Sequence, residues 1–559
     1  MHLRLPRERS MIDLLRDRAA EQPDECAFTF LDDGERAGAS ITWGVLERRC
    51  RAIAAAIAKR VDPGARVLVL FPPSTDFIPA FFGVLYAGAI AVPAYPPGGA
   101  SAERAHARLR GMTMDAGITL AVGSATDSGL CDVPWLDPAM IDDAEAGEWR
   151  MPKAKSSSVA FLQYTSGSTS EPRGVMVTHG NLLHNLAQTH ADGRYGHASI
   201  GVSWLPVNHD MGLINGVLQP VFSGFPAYLM PPAAFLQRPA RWLEAISRLG
   251  ATHSGGPNFA YDLCVRRVSE DEAAALDLGT WQVAYNGSEP VRRATLESFQ
   301  CRFGTRGFQW QSFSPAYGLA ESTLLVASVP AGAPPVFEGD AVASGTIEED
   351  GRILIVDPAA HVVMAPGRVG EIWVSGPSVT RGYWNRHGET AVTFDASIAD
   401  GRGPFLRTGD LGFIRDGRLF ITGRLKDLLI IRGAKHYPQD LELTAEQAHP
   451  ALRPGCCAAF ALQDEGEERV AIVAEVDVRE LARGGAHCAT QVLTSVRLAI
   501  AASHHVAPCS VTLVAAGTIP KTTSGKLQRF LCREALLNDT LNPLASWSDA
   551  GLAAARVAS

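Results

Sequence analysis

The chain has 559 residues, too many for one simple core, so two or more domains are expected. Its residues are 46% hydrophobic and 20% charged, the balance of an ordinary globular protein. The formal net charge of −8 argues against non-specific nucleic-acid binding, because that function needs a basic surface.

The cysteines and the N-terminus indicate the compartment. The ten cysteines are scattered from Cys26 to Cys532 without any C-x-x-C spacing, so the sequence predicts neither a disulfide framework nor a zinc site. Residues 1–21 carry charges throughout and have no apolar core, unlike a secretory signal. We therefore expect a cytoplasmic protein.

One segment near the N-terminus has two interpretations. Residues 77–95 are uncharged and about long enough to span a bilayer. Pro79 and Gly83 interrupt the segment, however, and a strand-like run at 65–71 precedes it. This pattern favours a strand, a buried helix and a second strand, a βαβ-type unit, over membrane contact.

Strands and helices follow one another up to about Thr346. Hydrophobic runs at 158–166 and 226–232 predict strands, and the periodicity at 240–250 and 291–303 predicts helices. Beyond Thr346 the strands become closely spaced and are separated by Gly, Asp and Pro, which indicates a small β-meander or barrel.

The tail of the chain, ~130 residues after Arg424, has the size of a separate small domain. It is predicted to contain a strand at 427–433, a helix from about Pro438, strands at 470–476 and 510–514, and a final helix. The predicted fold class is α/β and α+β. A large N-terminal domain at 1–424 would combine mixed sheets and helices with a small β-barrel-like subdomain, and a smaller α+β domain would occupy 425–559.

The end of one predicted strand is the strongest local signal. Thr165, Ser166, Gly167, Ser168 and Thr169 can turn tightly and present several backbone N–H groups and hydroxyls to one anion. A polyphosphate suits such a loop, although no Walker A sequence occurs. The alternative is a flexible Ser/Gly linker.

This loop and the segments that follow it resemble the signatures of the adenylate-forming superfamily, which includes acyl-CoA synthetases, luciferases and peptide-synthetase adenylation domains. The matching segments occur in the order of that family, at residues 164–174, 208–212, 286–290, 317–321, 407–410, 423–427 with 432–433, and 520–526. The resemblance implies an adenylation domain at 1–424, a mobile domain at 425–559, and an enzyme that uses ATP and Mg²⁺.

The resemblance assigns nucleotide-binding roles to particular residues. Glu321 offers a hard carboxylate oxygen suited to Mg²⁺, and Asp410 can accept hydrogen bonds from both ribose hydroxyls. Tyr317 is implied to stack on adenine, and Arg424 to donate near the ribose or the phosphate. The implied set is completed by Thr165, Ser166, Gly167, Ser168, Thr169, Gly287, Ser288, Glu289 and Gly318. Taken alone, Glu321 could be a surface glutamate and Asp410 part of a plain turn.

Two lysines have implied roles in the C-terminal domain. Lys526 would place a positive charge between the substrate carboxylate and the α-phosphate, where adenylation builds negative charge. Lys426 occupies the family's hinge position, about which the small domain would rotate between adenylation and thiol transfer. The alternatives are a solvated lysine before a helix and an ordinary turn lysine.

The stretches at 204–267, 423–433 and 437–442 are most similar to fatty acyl-AMP ligases. Those enzymes form acyl-adenylates and pass the acyl group to the phosphopantetheine arm of an acyl carrier protein, or of a carrier domain in a polyketide or nonribosomal peptide synthase. The implied partners are thus a fatty acid and a carrier protein, with no nucleic acid and no integral membrane association.

The same resemblance implies residues for the fatty acid. His209 would lie beside the acyl carboxylate and the phosphate and, with Lys526, take part in catalysis. The implied substrate contacts are His209, Asp210, Met211, Gly212, Ile214 and Phe259, with Leu213, Leu218 and Phe222 as further candidates for an acyl tunnel. Each apolar residue of this set could equally be ordinary core.

Two departures from the family pattern keep alternatives open. Arg173 stands where most relatives have lysine, which preserves the charge but changes its geometry. Residues 328–346 are short where fatty acyl-AMP ligases commonly carry an insertion, so a fatty acyl-CoA synthetase is the alternative function. A non-catalytic acyl-adenylate-binding module is a third hypothesis, against which the intact Glu321, Asp410 and Lys526 count.

The spacing of Lys526, Arg529 and Arg533 predicts that they share one face of a helix. Arg529 and Arg533 would then form a docking stripe for an acidic carrier protein. The alternative is a solvated helix face, or intramolecular pairing with acids such as Glu534.

Overall fold

The computed structural model describes residues 9–97, 102–165, 172–347, 350–431, 434–464, 467–485, 487–521 and 525–549. The chain forms two compact units, Met1–Thr408 with Gly412–Ile421, and Gly409–Leu411 with Thr422–Ser559. The roles of an adenylation domain at 1–424 and a mobile domain at 425–559 stay predictions.

The elements before residue 425 alternate between helices and strands. The described helices are α1 (Met11–Glu21), α2 (Trp43–Ala58), α3 (Phe77–Tyr86), α4 (Ala102–Ala116), α5 (His179–Gly193), α6 (Asp210–Leu213), α7 (Gln219–Ser223), α8 (Pro232–Gln237), α9 (Ala240–Leu249), α10 (Asn258–Arg267), α11 (Glu270–Ala274), α12 (Arg293–Phe303) and α13 (His387–Phe394). The described strands are β1 (Cys26–Leu31), β2 (Ala37–Thr42), β3 (Arg66–Leu70), β4 (Ile90–Ala94), β5 (Leu120–Gly123), β6 (Trp135–Leu136), β7 (Val159–Thr165), β8 (Arg173–Thr178), β9 (Gly201–Ser203), β10 (Ala227–Leu229), β11 (His253–Gly256), β12 (Val283–Asn286), β13 (Phe313–Gly318), β14 (Leu325–Ser328), β15 (Phe337–Glu338), β16 (Ala341–Thr346), β17 (Ile353–Val356), β18 (Gly370–Val374), β19 (Leu406–Arg415) and β20 (Arg418–Arg424).

Residues 77–95, which could have been a membrane span, form the predicted βαβ unit together with the strand before them. β3 and β4 pair in parallel, from Arg66 opposite Ile90 to Leu70 opposite Ala94. Every residue of α3 between them is buried, as expected for a helix that is apolar on all sides. Within the part of the chain that the structure describes, no helix is both long and apolar enough to cross a membrane. These strands belong to a sheet with the order β6-β5-β3-β4-β7-β8.

A second sheet carries most of the predicted site. Its described strands lie in the order β14-β13-β12-β11-β9-β10-β1-β2, and those from β13 to β1 run parallel. Parallel strands end at the same edge of a sheet, where ligands of open α/β sheets usually bind. The segments at 204–212, 257–259, 287–289 and 318–321 are therefore brought to one edge.

The closely spaced strands beyond β14 form a third sheet with the order β15-β16-β20-β19-β18-β17. β15 pairs antiparallel with β16, β16 with β20, and β17 with β18. The predicted β-rich region is confirmed.

The smaller unit is the predicted α+β structure. Its described helices and strands are α14 (Pro438–Gln447), α15 (Val478–Arg483), α16 (Cys488–His504), α17 (Arg529–Leu537), β21 (Leu429–Ile431), β22 (Ala434–His436), β23 (Leu452–Asp464), β24 (Glu467–Val476), β25 (Ser510–Val514) and β26 (Ala545–Ser548). The sheet order is β23-β24-β25-β26, and β21 and β22 form a separate antiparallel pair. Leu441 of α14, Ile472 of β24 and Val496 of α16 share its core.

Candidate active site

The predicted phosphate loop connects two paired strands. β7 and β8 are antiparallel, with Thr165 opposite Arg173 at the loop ends. Residues 166–169 lie outside the described residues. Their role in phosphate binding stays a prediction.

Arg173, the basic residue at the far end of this loop, is held by two side chains. Its Nε lies 2.9 Å from Glu389 Oε2, and its guanidinium carbon lies 5.5 Å from the centre of the Tyr383 ring. A carboxylate and an aromatic face thus fix a planar cation beside the loop, an arrangement that suits arginine better than lysine.

The segment around His209 lies against the same strand pair. Gln163 in β7 donates from Nε2 to the main-chain oxygen of Asn208 at 3.0 Å. His209 directly precedes α6, and its Nδ1 lies 2.6 Å from Asp210 Oδ1, which also accepts the Met211 N–H at 2.7 Å. The structure therefore places His209 next to the strand that leads into the phosphate loop, with its ring oriented by Asp210.

The predicted adenine-binding strip follows β12. Ser288 adopts a positive φ of 69°, and its Oγ lies 2.7 Å from Met211 Sδ, so Gly287 and Ser288 lie beside the His209 segment. Glu289 has a structural contact, because its Oε1 accepts the Phe259 main-chain N–H at 2.6 Å in the first turn of α10. A carboxylate there satisfies a helix-end donor and faces the positive end of the helix dipole.

Tyr317 and Gly318 end β13 at the same edge. Tyr317 is only 7% exposed and packs in the main core, so its stacking on adenine stays a prediction. A Cβ at Gly318 would lie 1.7 Å from Leu324 O, and one at Gly212 would lie 2.0 Å from Pro206 O. Both positions therefore require glycine.

Glu321 lies just beyond that edge, on the short 3₁₀ turn Ala320–Ser322. The residue is partly exposed, and its Oε1 accepts the Tyr383 hydroxyl at 2.8 Å. Mg²⁺ at phosphate-transfer sites is usually held by one or two carboxylates together with the substrate phosphates. An oriented, accessible carboxylate fits that donor set.

Tyr383 is a site residue that the sequence analysis missed. Burial and the neighbouring charge of Glu321 raise the pKa of the Tyr383 hydroxyl, so it stays protonated and donates its hydrogen bond. In the sequence its only signal is an aromatic residue after Gly382, and nothing there indicates a partner 62 residues away.

The smaller unit brings Asp410 and Arg424 together, and their role in ribose binding stays a prediction. Arg424 Nε donates to Asp410 Oδ1 at 3.0 Å. Asp410 is buried, whereas the Arg424 side chain is 59% exposed. Arg424 can therefore orient the carboxylate and still reach a ligand.

The two implied functional lysines lie outside the helices and strands of this unit. Lys426 is exposed in the turn after β20, where the Asp427 N–H donates to Arg424 O at 3.3 Å. Lys526 is partly exposed and lies beside Leu527, which forms an isolated bridge with Lys521. Lys526 is therefore next to a residue whose backbone position is fixed by pairing.

The prediction that Lys526, Arg529 and Arg533 share a helix face is wrong, because α17 begins only at Arg529. Arg529 is also not available as a docking cation. Its Nε and Nη2 donate to Glu442 at 2.7 and 2.8 Å, and its Nη1 donates to Asp427 at 2.8 Å. Arg529 therefore forms intramolecular ion pairs, the alternative to docking. Its partners are Glu442 and Asp427, whereas Glu534 was expected.

The candidate acyl-binding residues divide into two groups. Leu213, Ile214, Leu218 and Phe222 are buried, and the turn Ile214–Leu218 is π-helical, a conformation often found at functional sites. Phe259 is only partly buried and packs edge-to-face on Trp204, with ring centres 6.1 Å apart. The role of the buried group as acyl-tunnel wall stays a prediction.

The chain is similar to known proteins along most of its length. The AMP-binding enzyme family matches residues 15–384, and the AMP domain of the Disco-interacting protein 2-like family matches residues 426–546. The chain is 42% identical to the medium-chain-fatty-acid–[acyl-carrier-protein] ligase JamA of Moorena producens, over 96% of each chain. It is 38% identical to the putative fatty-acid–CoA ligase fadD21 of Mycobacterium leprae, over 94% of this chain and 97% of the other.

The chain is also similar to a fatty acyl-adenylate ligase of known structure. The fatty acyl-adenylate ligase of L. pneumophila, in complex with acyl adenylate and pyrophosphate, is 36% identical. It aligns over 96% of this chain and 98% of its own with a TM-score of 0.73. The chain therefore belongs to the AMP-binding enzymes, the adenylate-forming superfamily that its motifs predicted. Within that superfamily it is a fatty acyl-AMP ligase.

Proposed function

We propose that the enzyme joins a fatty acid to AMP and then transfers the acyl group to the phosphopantetheine thiol of an acyl carrier protein or carrier domain. The observation that carries this proposal is one sheet edge that gathers the His209 segment, the adenine strip and Glu321 beside the phosphate-loop strands. JamA, named as an acyl-carrier-protein ligase, supports the choice of acceptor.

In the first half-reaction a fatty-acid carboxylate oxygen attacks the α-phosphorus of ATP, and pyrophosphate leaves. Arg173 and the backbone N–H groups of the phosphate loop would hold the polyphosphate, while Asp410 and Arg424 would hold the ribose. Glu321 would hold Mg²⁺, which supplies charge neutralisation on the phosphates. Lys526 would stabilise the negative charge that develops at the reacting phosphate.

In the second half-reaction the pantetheine thiol gives its proton to solvent and its sulfur attacks the acyl carbonyl carbon. A C–S bond forms, the C–O bond to the phosphate breaks, and AMP leaves with the electron pair of that bond. Rotation about Lys426 would exchange the surfaces used in the two half-reactions. The turn at Lys426 and its exposure support this role.

Coenzyme A is the alternative acceptor, because residues 328–346 are short and a relative is named as a putative fatty-acid–CoA ligase. Enzyme, ATP, Mg²⁺ and a radiolabelled fatty acid should be incubated with either coenzyme A or a holo carrier protein. We expect acyl-carrier product and little acyl-CoA. Acyl-CoA as the main product would identify a synthetase, and no acyl-adenylate in either reaction would contradict the enzyme assignment.

The hinge gives a separate prediction. Proline at position 426 fixes φ near −65° and removes an N–H, so Lys426→Pro should restrict rotation of the turn. We expect transfer to the carrier to fail before adenylation does, measured by following pyrophosphate release and acyl-carrier formation separately. Lys426→Ala distinguishes loss of the side chain from loss of backbone freedom. Normal rates of both half-reactions in Lys426→Pro would exclude a hinge at this residue.

A further inference from the structure

One segment of the larger unit, residues 378–383, holds Glu321 at both its backbone and its carboxylate. Thr380 donates to the Glu321 main-chain oxygen from its N–H at 2.9 Å and from its hydroxyl at 3.0 Å. Tyr383 donates its hydroxyl to Oε1 at 2.8 Å. Thr380 and Tyr383, which are 59 and 62 residues away in the sequence, therefore fix the position of the Glu321 carboxylate.

The turn after Glu321 is strained and is held by the same segment. Thr323 has φ 67° and ψ −65°, and the Leu324 N–H donates to Ser322 O at 2.8 Å. These values define the rare γ-turn with positive φ, which persists only where its surroundings enforce it. The buried Thr323 hydroxyl donates to Ser378 O at 2.7 Å, which supplies that constraint.

The same segment, together with Trp384 directly after it, also runs along β8, the strand that follows the phosphate loop. Tyr383 forms an isolated bridge with Val175, and the Trp384 N–H donates to Gly174 O at 2.8 Å. The Tyr383 ring carries the Arg173 guanidinium on one face. Tyr383 thus contacts both the start of β8 and the carboxylate expected to bind the metal.

We propose that Tyr383 is a positioning residue for magnesium: its hydroxyl orients the Glu321 carboxylate toward the metal–nucleotide complex. This inference rests on the proposed function and extends it to a residue without a role in the sequence motifs. Hydrogen-bond partners of metal ligands fix the orientation of the ligand, and their loss typically weakens metal binding or activity about 10–100-fold.

Tyr383→Phe tests the proposal because it removes only the hydroxyl. The ring can keep its contact with Phe394, whose centre lies 5.2 Å away, and its place under Arg173. We expect the Mg²⁺ concentration for half-maximal acyl-adenylate formation to rise about tenfold, with kcat recovered at saturating Mg²⁺. Tyr86→Phe is the matched control, because it removes a different buried hydroxyl that donates to Ile12 O at 3.4 Å. Its half-saturating Mg²⁺ concentration should equal that of the wild type.

A second measurement is independent of turnover. Mn²⁺ binding to the full-length protein with α,β-methylene-ATP, followed by the electron paramagnetic resonance of free Mn²⁺, should show the same tenfold weakening in Tyr383→Phe. Wild-type Mn²⁺ binding in this variant, or a loss of kcat that saturating Mg²⁺ does not restore, would overturn the positioning role. A wild-type enzyme that forms no acyl-adenylate would instead overturn the proposed function, and the Mn²⁺ titration would still test Tyr383.

Discussion

Lys526→Ala should lower the rate of acyl-adenylate formation by about 10²–10³-fold, the loss seen when one preorganised charge-stabilising donor is removed from a transition state. The negative charge on the α-phosphate grows as pyrophosphate leaves, so the cation contributes more in the transition state than in the bound substrate. The rate is measured as fatty-acid-dependent pyrophosphate release, and circular dichroism checks the fold.

The controls separate catalysis from general effects of lysine loss. Lys435, exposed on β22, offers the same substitution away from the motif, and Lys435→Ala should retain the wild-type rate. Lys526→Arg keeps the charge with a different geometry and should recover only part of the activity. Transfer from preformed acyl-adenylate should persist in Lys526→Ala. Adenylation within a few-fold of wild type would remove Lys526 from its role.

Local sequence patterns predicted the elements whose apolar residues are close in the chain. The βαβ unit at 66–94 was predictable because α3 is apolar on every side and its flanking strands are short buried runs. β25 and α9 likewise follow their predicted ranges. In these cases the pattern of hydrophobic residues predicts which side chains are buried, and that burial determines whether the segment forms a helix or a strand.

The contacts between particular side chains were harder to predict from the sequence. Glu289 was assigned to the nucleotide from its motif, yet its carboxylate caps α10 through the Phe259 N–H. Tyr383 was missed because its partner Glu321 is fixed by sheet order and not by spacing. The helix predicted to include Lys526 begins at Arg529 instead, because Leu527, just before it, pairs with Lys521 in a β-bridge.

Arg529 gives the prediction with the largest expected effect on stability. Its guanidinium makes a bidentate pair with Glu442, whose side chain is only 3% exposed. The Glu442 carboxylate also accepts the Ala459 N–H of β23 at 2.9 Å. Arg529→Met would leave this carboxylate buried without its cation, and breaking a buried pair from one side typically costs about 3–5 kcal/mol.

The loss should be local to the smaller unit and is therefore measured residue by residue. Hydrogen exchange of the β23 amides, together with denaturant unfolding, should show Arg529→Met destabilised by about 3–5 kcal/mol. Arg483→Met is the matched control, because Arg483 pairs with Glu480 on an exposed surface where ion pairs contribute about 0–1 kcal/mol. Equal effects of the two substitutions would contradict the buried-pair explanation.

A double variant tests whether the unpaired charge of Glu442 causes the loss of stability in Arg529→Met. Glu442→Gln removes the negative charge but keeps an oxygen for the Ala459 N–H, so adding it to Arg529→Met should recover much of the lost stability. Failure to recover would mean that the arginine acts through packing or through its other partner, Asp427. Since Asp427 follows the proposed hinge Lys426 and Arg529 follows the loop of Lys526, one guanidinium connects both segments. The double variant Arg529→Met, Glu442→Gln should regain stability but still lacks the arginine that contacts Asp427. Any defect in acyl transfer that remains in it would therefore come from the lost Arg529–Asp427 contact.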